Sequence, residues 1–344
     1  MLHVVRNRIN NLMINSAIVV LNWNDWRNTI DCLESIYQND GNFDVFLIDN
    51  GSNFENIQRI SNWHNGKLLP NRKFIKPKPE FRGHNELIFM NFKNNIFNKK
   101  KNTRNLYLFK NKKNLGLTAG LNKAYSFLIR NKYDHILRID NDFIVPSDYF
   151  KKITKTIKPK DIVSASPKIM HASIKKNVWF KGFKMKWSYL KFQRTMNLKK
   201  KRYFDNQNLN KIIDTDAISG CCSIYKSYIL KKSGLGDEDF FYGPEDIELS
   251  YRLKKYGRLT CNQKIKTFHK IGRSSSIAKT HDRIYQSTFG FLTLIKKIGN
   301  FNDKLFGYSY FILRGFFYLF MENDISKKNG YKKALIKFFL KNLN

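Results

Sequence analysis

The strongest single signal in the sequence is the stretch HILRIDND, residues 135–142. Its first five residues form a short, largely apolar run, which is typical of a strand buried in a parallel sheet. Two carboxylates separated by one residue, Asp140 and Asp142, follow at once. Oxygens in this arrangement can hold a hard cation such as Mg²⁺ or Mn²⁺. A DxD triplet alone is a weak signal, and its position directly after a strand strengthens it.

Two earlier strands are predicted to end in the same way. SAIVVL, Ser16–Leu21, runs into Asn22, and VFLI, Val45–Ile48, runs into Asp49, with a helical repeat of apolar residues between them. Because the carboxyl ends of parallel strands line the ligand crevice of an open α/β sheet, these residues and the Asp140–Asp142 turn should converge. A single strand-terminal aspartate usually forms a turn or a helix cap, whereas three such ends in one sheet favour a functional site.

The remaining elements follow from apolar patterning. We predict strands at Leu106–Phe109, Ile162–Ala165 and Ile218–Tyr225, and a helix after Asn114 and Gly116 with Leu117, Leu121, Ala124 and Leu128 on one face. The stretch from about Lys67 to Lys113, with Pro70, Pro77, Pro79 and Lys99–Lys101, is interpreted as a variable insertion around one or two strands. Between 165 and 218 the chain is basic and irregular.

A second acidic motif, Glu245-Asp246, follows Pro244 at a predicted helix start, and Gly257 marks the helix end. Leu249, Leu253 and Tyr256 should form the inner stripe of this helix, and Glu248 should be a structural or solvent-facing acid. An acid at a helix start often serves only as a partner of the helix dipole. Asp246 is also suitably placed to act as a general base.

An isolated histidine, His269, follows another predicted strand. Such a residue is more often packed in the core or on the surface than bound to a ligand. Its position after the second acidic motif makes it a candidate metal ligand.

In their order along the chain, seven segments resemble the inverting family 2 glycosyltransferases, in particular the rhamnosyltransferase-like branch. The segments are IVVLNWND (18–25), VFLIDNGS (45–52), NLGLTAGLNKA (114–124), ILRIDND (136–142), SGCCSIYKS (219–227), FFYGPEDIELSYRLKKYG (240–257) and TFHKIGRSSS (267–276). Arg138, where the family usually has an apolar residue, and Gly243-Pro244 depart from its pattern, and the insertion is long.

The resemblance implies a GT-A fold of the α/β class, with a mixed, mostly parallel central sheet and helices on both faces. This domain would cover residues 16–276, with a nucleotide-binding half at about 16–142 and an acceptor half at about 143–276. Residues 1–15 would be an N-terminal extension, and residues 277–344 a helical, aromatic and basic C-terminal extension.

The resemblance also implies roles for single residues. The nucleotide-sugar contacts would be Asn22, Asp49, Asn114, Gly116, Gly120, Asn122 and Asp140. Asp49 would contact the nucleoside. Asp142, Asp140 and His269 would hold Mn²⁺ or Mg²⁺, with Asp142 the most direct ligand. The general base would be Asp246, with Glu245 orienting the acceptor.

The implied activity is transfer of a sugar, with inversion, from a nucleotide-diphosphate donor to a glycan or lipid-linked acceptor. The implied setting is assembly of a bacterial surface polysaccharide or lipooligosaccharide. The alternatives are a basic nucleic-acid-binding protein and a non-catalytic binding protein on the same scaffold.

The formal net charge of +36 is compatible with nucleic acid, an anionic membrane surface or acidic substrates as partners. A compositional bias towards Lys, Asn, Ile and Phe is an equally good explanation. Acids at strand ends would repel nucleic-acid phosphates, and the lysines are scattered along the chain, so nucleic acid is the less favoured partner.

The C-terminal segment and the cysteines bear on location. The run Leu305–Met321 is interrupted by Arg314 and is short for a membrane span. Its apolar residues lie on every face of the predicted helix, which is more typical of a buried helix than of a membrane-facing one. Lys332, Lys333, Lys337 and Lys341 follow it and suit an anionic bilayer surface. Four cysteines without metal-site spacing indicate reduced thiols. We therefore expect a cytoplasmic protein, peripheral on the inner face of the membrane.

Overall fold

A computed structural model of the chain describes residues 15–41, 43–71, 73–77, 86–92, 104–174, 177–183, 203–204, 211–270 and 280–341. The predicted N-terminal extension, Pro79, Lys99–Lys101 and the Gly272–Ser276 end of the last motif fall outside these residues, apart from Asn15.

The first half alternates strands and helices, as the apolar patterning predicted. Its elements are β1 (Ser16–Asn22), α1 (Trp26–Tyr37), β2 (Phe43–Asp49), α2 (Phe54–His64), β3 (Leu87–Met90), β4 (Leu106–Lys110), α3 (Leu117–Arg130) and β5 (His135–Ile139).

The second half is less regular and ends in three long helices. Its elements are β6 (Phe143–Ile144), α4 (Tyr149–Thr156), β7 (Ile162–His171), β8 (Asn177–Phe180), β9 (Tyr203–Phe204), β10 (Ile212–Asp214), β11 (Cys222–Lys226), α5 (Ser227–Ser233), α6 (Glu245–Leu253), β12 (Arg258–His269), α7 (Thr280–Ile298), α8 (Phe301–Met321) and α9 (Ile325–Lys341).

The strands form one mixed sheet in the order β10-β12-β7-β11-β5-β1-β2-β4-β3. The five strands from β5 to β3 are parallel, and so are β7 and β12. Strand β11 runs antiparallel between β5 and β7. The sheet thereby joins the two halves of the chain without a break.

Helices cover both faces of the sheet. Along β1, Ile18 and Val20 face a core that contains Leu33 of α1 and Trp63 of α2. Alternate residues of the same strand face a second core beneath α3 and α6. A strand covered on both faces favours apolar residues on both sides, which explains the unbroken apolar run at Ala17–Leu21.

Helix α6 begins where the sequence predicted but ends earlier. Leu249 and Leu253 are buried in the core, whereas Tyr256 is 45% exposed, so its place in the inner stripe was wrong. The α-helix stops at Leu253, and the chain continues as a 3₁₀ turn, which changes the direction of the Tyr256 side chain. Glu248 is buried and paired with Arg252, and it therefore has the structural role predicted for it.

Two further expectations are corrected. The strand predicted from Ile218 begins only at Cys222, because residues 218–221 form a loop that leads into β11. Helix α8 was expected to be buried, but only Gly307, Phe311 and Gly315 are. Most of its apolar side chains are exposed. No helix among the described residues is both long and apolar enough to cross a membrane.

Candidate active site

The ends of β1 and β2 are joined by their polar side chains. Asn22 and Asp49 are register partners, and the Asn22 Nδ2 donates to Asp49 Oδ1 at 2.9 Å. The other Asp49 oxygen accepts from the Ser52 backbone N–H at 3.1 Å, and Thr29 donates to Asn22 Oδ1 at 2.8 Å. Asn22, Thr29 and Asp49 are fully buried. The predicted convergence of these strand ends is therefore real, and it is achieved by direct hydrogen bonds.

Asn50, which the sequence analysis did not single out, organises the next loop. Its Nδ2 donates to the Asn114 Oδ1 and to the Gly116 carbonyl, both at 3.0 Å. Its Oδ1 accepts from the Leu115 N–H at 3.2 Å. Its position directly after the strand-terminal Asp49 is the sequence signal that could have identified it. Asn50 fixes the predicted base-and-ribose loop against the end of β2.

The loop before α6 lies against this same segment. Gly116 has a φ of +84°, and a Cβ built on it would lie 2.6 Å from the Phe241 ring. The Leu117 N–H donates to the Phe241 carbonyl at 2.8 Å. The predicted nucleotide loop and the second acidic motif therefore belong to one region.

Two other predicted nucleotide-sugar residues have structural contacts. Gly120 packs on Leu21 and Asn50, where a Cβ would come within 3.0 Å of the leucine. The Asn122 amide donates to the Gly236 carbonyl at 2.8 Å and accepts from the Gly236 N–H at 3.0 Å. The Asn122 side chain thus anchors the loop that precedes the second acidic motif.

A buried arginine links the two acidic motifs. Arg138 Nε lies 3.1 Å from Asp140 Oδ1, and its Nη1 lies 3.2 Å from Glu245 Oε1. Burial raises the pKa of Asp140, an effect that Arg138 opposes and nearby Asp142 reinforces. Arg138, which departs from the family pattern, therefore links the two acidic motifs. Asp140 faces this arginine.

Asp142 and His269 form a second pair, 3.0 Å between Oδ2 and Nε2. The pairing of β6 with β12 brings them together, since Phe143 lies opposite His269. The imidazole stacks on the Phe143 ring with centroids 4.6 Å apart, and its Nδ1 has no hydrogen-bond partner among the described residues. Packing therefore holds the ring with Nε2 towards the carboxylate.

The Asp142–His269 pair suits a divalent ion whose other ligands are substrate phosphates and water. The described residues contain no group of three or more His, Cys, Asp or Glu able to enclose a metal by themselves. Mg²⁺ is typically bound by one or two carboxylates together with substrate phosphates and water. One carboxylate and one imidazole nitrogen are a suitable partial ligand set for such an ion or for Mn²⁺.

Asp246, at the start of α6, has the environment of a general base. Its two oxygens accept from the Gly220 N–H at 3.0 Å and the Ile247 N–H at 2.9 Å. Burial raises its pKa to about 6, with the neighbouring Glu245 carboxylate adding to the shift. A base whose pKa lies near the working pH is the effective kind.

A cavity of about 580 Å³ opens beside the Asp142–His269 pair. Its lining includes Asp142, Lys270, Asp31, Asn28, Trp26 and Phe74. Lys270 Nζ is 2.5 Å from Asp31 Oδ2 and 4.9 Å from the centre of the Phe74 ring. The predicted nucleotide-sugar residues are not in this lining. The cavity therefore approaches Asp142 from the α1 side of the sheet.

Comparison with solved structures identifies the architecture. The structure of GalNAc-T7 with UDP, GalNAc and Mn²⁺ is similar over 97% of this chain and 57% of the GalNAc-T7 chain, with a TM-score of 0.53 and 13% sequence identity. S. aureus TarS 1–349 matches 94% of this chain and 80% of its own, with a TM-score of 0.51 and 13% identity.

A third structure agrees with these two. The mannosyltransferase PcManGT from Pyrobaculum calidifontis, in complex with GDP-Man and Mn²⁺, matches 95% of this chain and 75% of its own, with a TM-score of 0.51 and 12% identity. No protein-family model and no curated protein matches the sequence. The mixed sheet with helices on both faces, shared with these proteins, is the GT-A fold.

Proposed function

We propose that the protein is a metal-dependent glycosyltransferase that moves a sugar from a nucleotide-diphosphate donor to a glycan or lipid-linked acceptor with inversion. One observation carries the proposal. On a GT-A sheet, the Asp246 carboxylate, with a pKa of about 6, is connected through Glu245 and Arg138 to the strand end that bears Asp140 and Asp142.

The chemistry assigned to Asp246 follows from its pKa and its contacts. Above pH 6 the carboxylate is ionised and accepts the proton of the acceptor hydroxyl. The hydroxyl oxygen forms a bond to the anomeric carbon as the bond to the nucleoside diphosphate breaks on the opposite face, which inverts the configuration. Glu245 is held by Arg138 and orients the acceptor.

Asp142 and His269 are the residues that would hold Mn²⁺ or Mg²⁺. When bound there, the ion supplies positive charge to the departing diphosphate. The presence of Mn²⁺ with UDP in the GalNAc-T7 structure, and with GDP-Man in the mannosyltransferase structure, supports the same ligand class here. Lys270, which lines the cavity beside Asp142, is paired there with Asp31.

The donor-binding role extends to the loops at the strand ends. Asp49, Asn114 and Gly116 are proposed to receive the nucleoside. Asn50 fixes the Asn114–Gly116 loop to the end of β2, and Phe241 joins that loop to the segment before the second acidic motif. Gly120 and Asn122 are proposed to support the donor-binding loops through their packing on Asn50 and on the Gly236 loop.

The order of the seven motifs supports placement in family 2, in the rhamnosyltransferase-like branch. It also supports a role in assembly of a bacterial surface polysaccharide or lipooligosaccharide. The four cysteines are free thiols, three of them buried, which fits a reducing compartment such as the cytoplasm.

Calorimetric titration with UDP-, dTDP- and GDP-sugars, with and without Mn²⁺, tests the proposal. We expect one nucleotide class to bind at micromolar concentration only when the ion is present. If a folded sample binds none of these donors with metal present, the proposal fails, and a binding function on the GT-A scaffold replaces it.

A further inference from the structure

Helix α8 exposes a continuous row of large apolar side chains. We call this row the outer face of α8; it consists of Leu305, Ile312, Leu313, Phe316, Phe317 and Phe320. Phe320 is 77% exposed and Leu313 is 68% exposed. Single exposed apolar residues are ordinary on protein surfaces, whereas a contiguous row of this size is typical of an interaction surface.

The opposite side of the helix fixes this orientation. Gly307 and Gly315 face the neighbouring helices so closely that a Cβ on either would come within 2.8 Å of Ile295 or Leu335. Phe311, between them, is buried. A larger side chain at either position would require Ile295 or Leu335 to move, so the two glycines favour the observed orientation of α8.

The single charge within Leu305–Met321 is kept away from the outer face. The Arg314 guanidinium donates to the Tyr310 hydroxyl at 3.1 Å and to the Tyr318 hydroxyl at 3.5 Å, and it also lies 6.0 Å from the centre of the Tyr331 ring. The arginine that interrupts the apolar run in the sequence is therefore enclosed by tyrosines on the inner flank. The outer face carries no charge.

The positive charge of the chain favours an anionic partner over a second copy of the same chain. With a formal net charge of +36, two copies would repel each other, which disfavours pairing through this face. The following helix, α9, exposes Lys332, Lys333 and Lys337, and the last two lie over the Tyr285 ring of α7. Apolar surface together with positive charge is the combination that binds anionic phospholipid bilayers.

We propose that the outer face of α8 inserts into the surface of a bilayer that contains anionic phospholipids, with the helix lying in the membrane plane. At about 1.5 Å per residue its 21 residues extend about 32 Å along that surface. Apolar side chains of such a helix reach the boundary between headgroups and acyl chains. This proposal does not depend on the proposed enzymatic activity.

Helix α7 connects this surface to the candidate active site. Gly290 of α7 packs on the Gly243 carbonyl beside the start of α6, and Ile295 of the same helix packs on Gly307 of α8. The two contacts are five residues, about 7.5 Å, apart along α7. If the proposed function also holds, α7 links the bilayer-binding helix to the segment that precedes Asp246, on the route to a lipid-linked acceptor.

The test is co-flotation of the full chain with vesicles of phosphatidylcholine alone and of phosphatidylcholine mixed with phosphatidylglycerol. The variant Leu313→Gln, Phe316→Gln, Phe320→Gln removes three large groups from the outer face. Phe54→Gln is the matched control, because Phe54 is 74% exposed at the start of α2. All these side chains are exposed, so circular dichroism should show unchanged folding.

We expect the wild type and Phe54→Gln to float with the anionic vesicles, more weakly at high salt, and the triple variant to lose about tenfold or more in affinity. Equal binding by the triple variant and the wild type overturns the proposal, and so does absence of wild-type binding. Light scattering that shows a wild-type dimer and a monomeric triple variant would make the face a self-association surface instead. None of these outcomes bears on donor binding measured by calorimetry.

Discussion

Arg138 and Glu245, 107 positions apart in the sequence, form a buried ion pair with 3.2 Å between Nη1 and Oε1. The same guanidinium contacts Asp140, so a single side chain fixes both acidic motifs of the candidate site. Removing one partner of a buried ion pair leaves the other charge uncompensated, which is costly.

Arg138→Met should therefore lower the free energy of unfolding by about 3–5 kcal/mol, measured by urea denaturation. Arg138 also opposes the upward shift of the Asp246 pKa that is caused by burial and by Glu245. The low-pH limit of activity should accordingly move to higher pH in the Met variant. Arg138→Lys, which keeps the charge, should restore that limit. An unchanged pH profile in the Met variant would show that Arg138 does not tune the base.

The rate of transfer should fall as the pH drops through about 6. Burial and Glu245 raise the pKa of Asp246 from 3.8 to about 6, so the base is ionised and active above this pH and protonated below it. The kcat/KM of the free enzyme, measured between pH 4 and 9 in a transfer assay, reports this limit. A limit near pH 4, the ordinary range of an aspartate, would contradict the environment described for Asp246.

Metal-dependent donor binding should depend on the Asp142–His269 pair. Asp142→Ala removes the only carboxylate of this pair, and we expect donor affinity in the presence of Mn²⁺ to fall about tenfold or more. His269→Ala should have a smaller effect in the same direction. Binding measured without metal should be equally weak in the wild type and in both variants. Retention of full Mn²⁺ dependence in Asp142→Ala would place the metal elsewhere.

Gly51 holds the end of β2 against the loop that leads to Asn114. Its φ is +81°, and a Cβ would lie 2.4 Å from the Lys113 backbone carbon. Gly51→Ala should destabilise the chain by several kcal/mol, since backbone cannot move aside cheaply. Gly66→Ala is the matched control, with a φ of +76° and no atom within 4 Å, and it should cost about 1 kcal/mol. Equal losses for the two variants, in urea denaturation, would show that the close approach is unimportant.

The strand ends could be predicted because their signal is local. Apolar runs that stop at Asn22, Asp49 and Asp140 are visible in the sequence, and the topology of a parallel sheet brings such ends together. The start of α6 at Glu245 was predicted for the same kind of reason, a proline and acids in the first turn.

Contacts between distant side chains were not predictable in this way. Neither the link from Arg138 to Glu245 nor the bonds from Asn50 to the Asn114–Gly116 segment follow from spacing, since each depends on how two loops pack. Arg138 even stood out as a departure from the family pattern.

The exposure of α8 was predicted wrongly for a physical reason. Apolar residues all around a helix normally indicate burial. Here the inner side consists of Gly307, Phe311 and Gly315, so the helix packs along a narrow stripe and leaves its broad outer face uncovered.

The role of Asp246 as the general base is tested by Asp246→Asn, studied by a transfer assay and by donor titration in the same preparation. We expect transfer to fall by about a thousandfold or more, while the donor dissociation constant in the presence of Mn²⁺ stays within about twofold of the wild type. Transfer at the wild-type rate would remove Asp246 as the base and contradict the proposed mechanism.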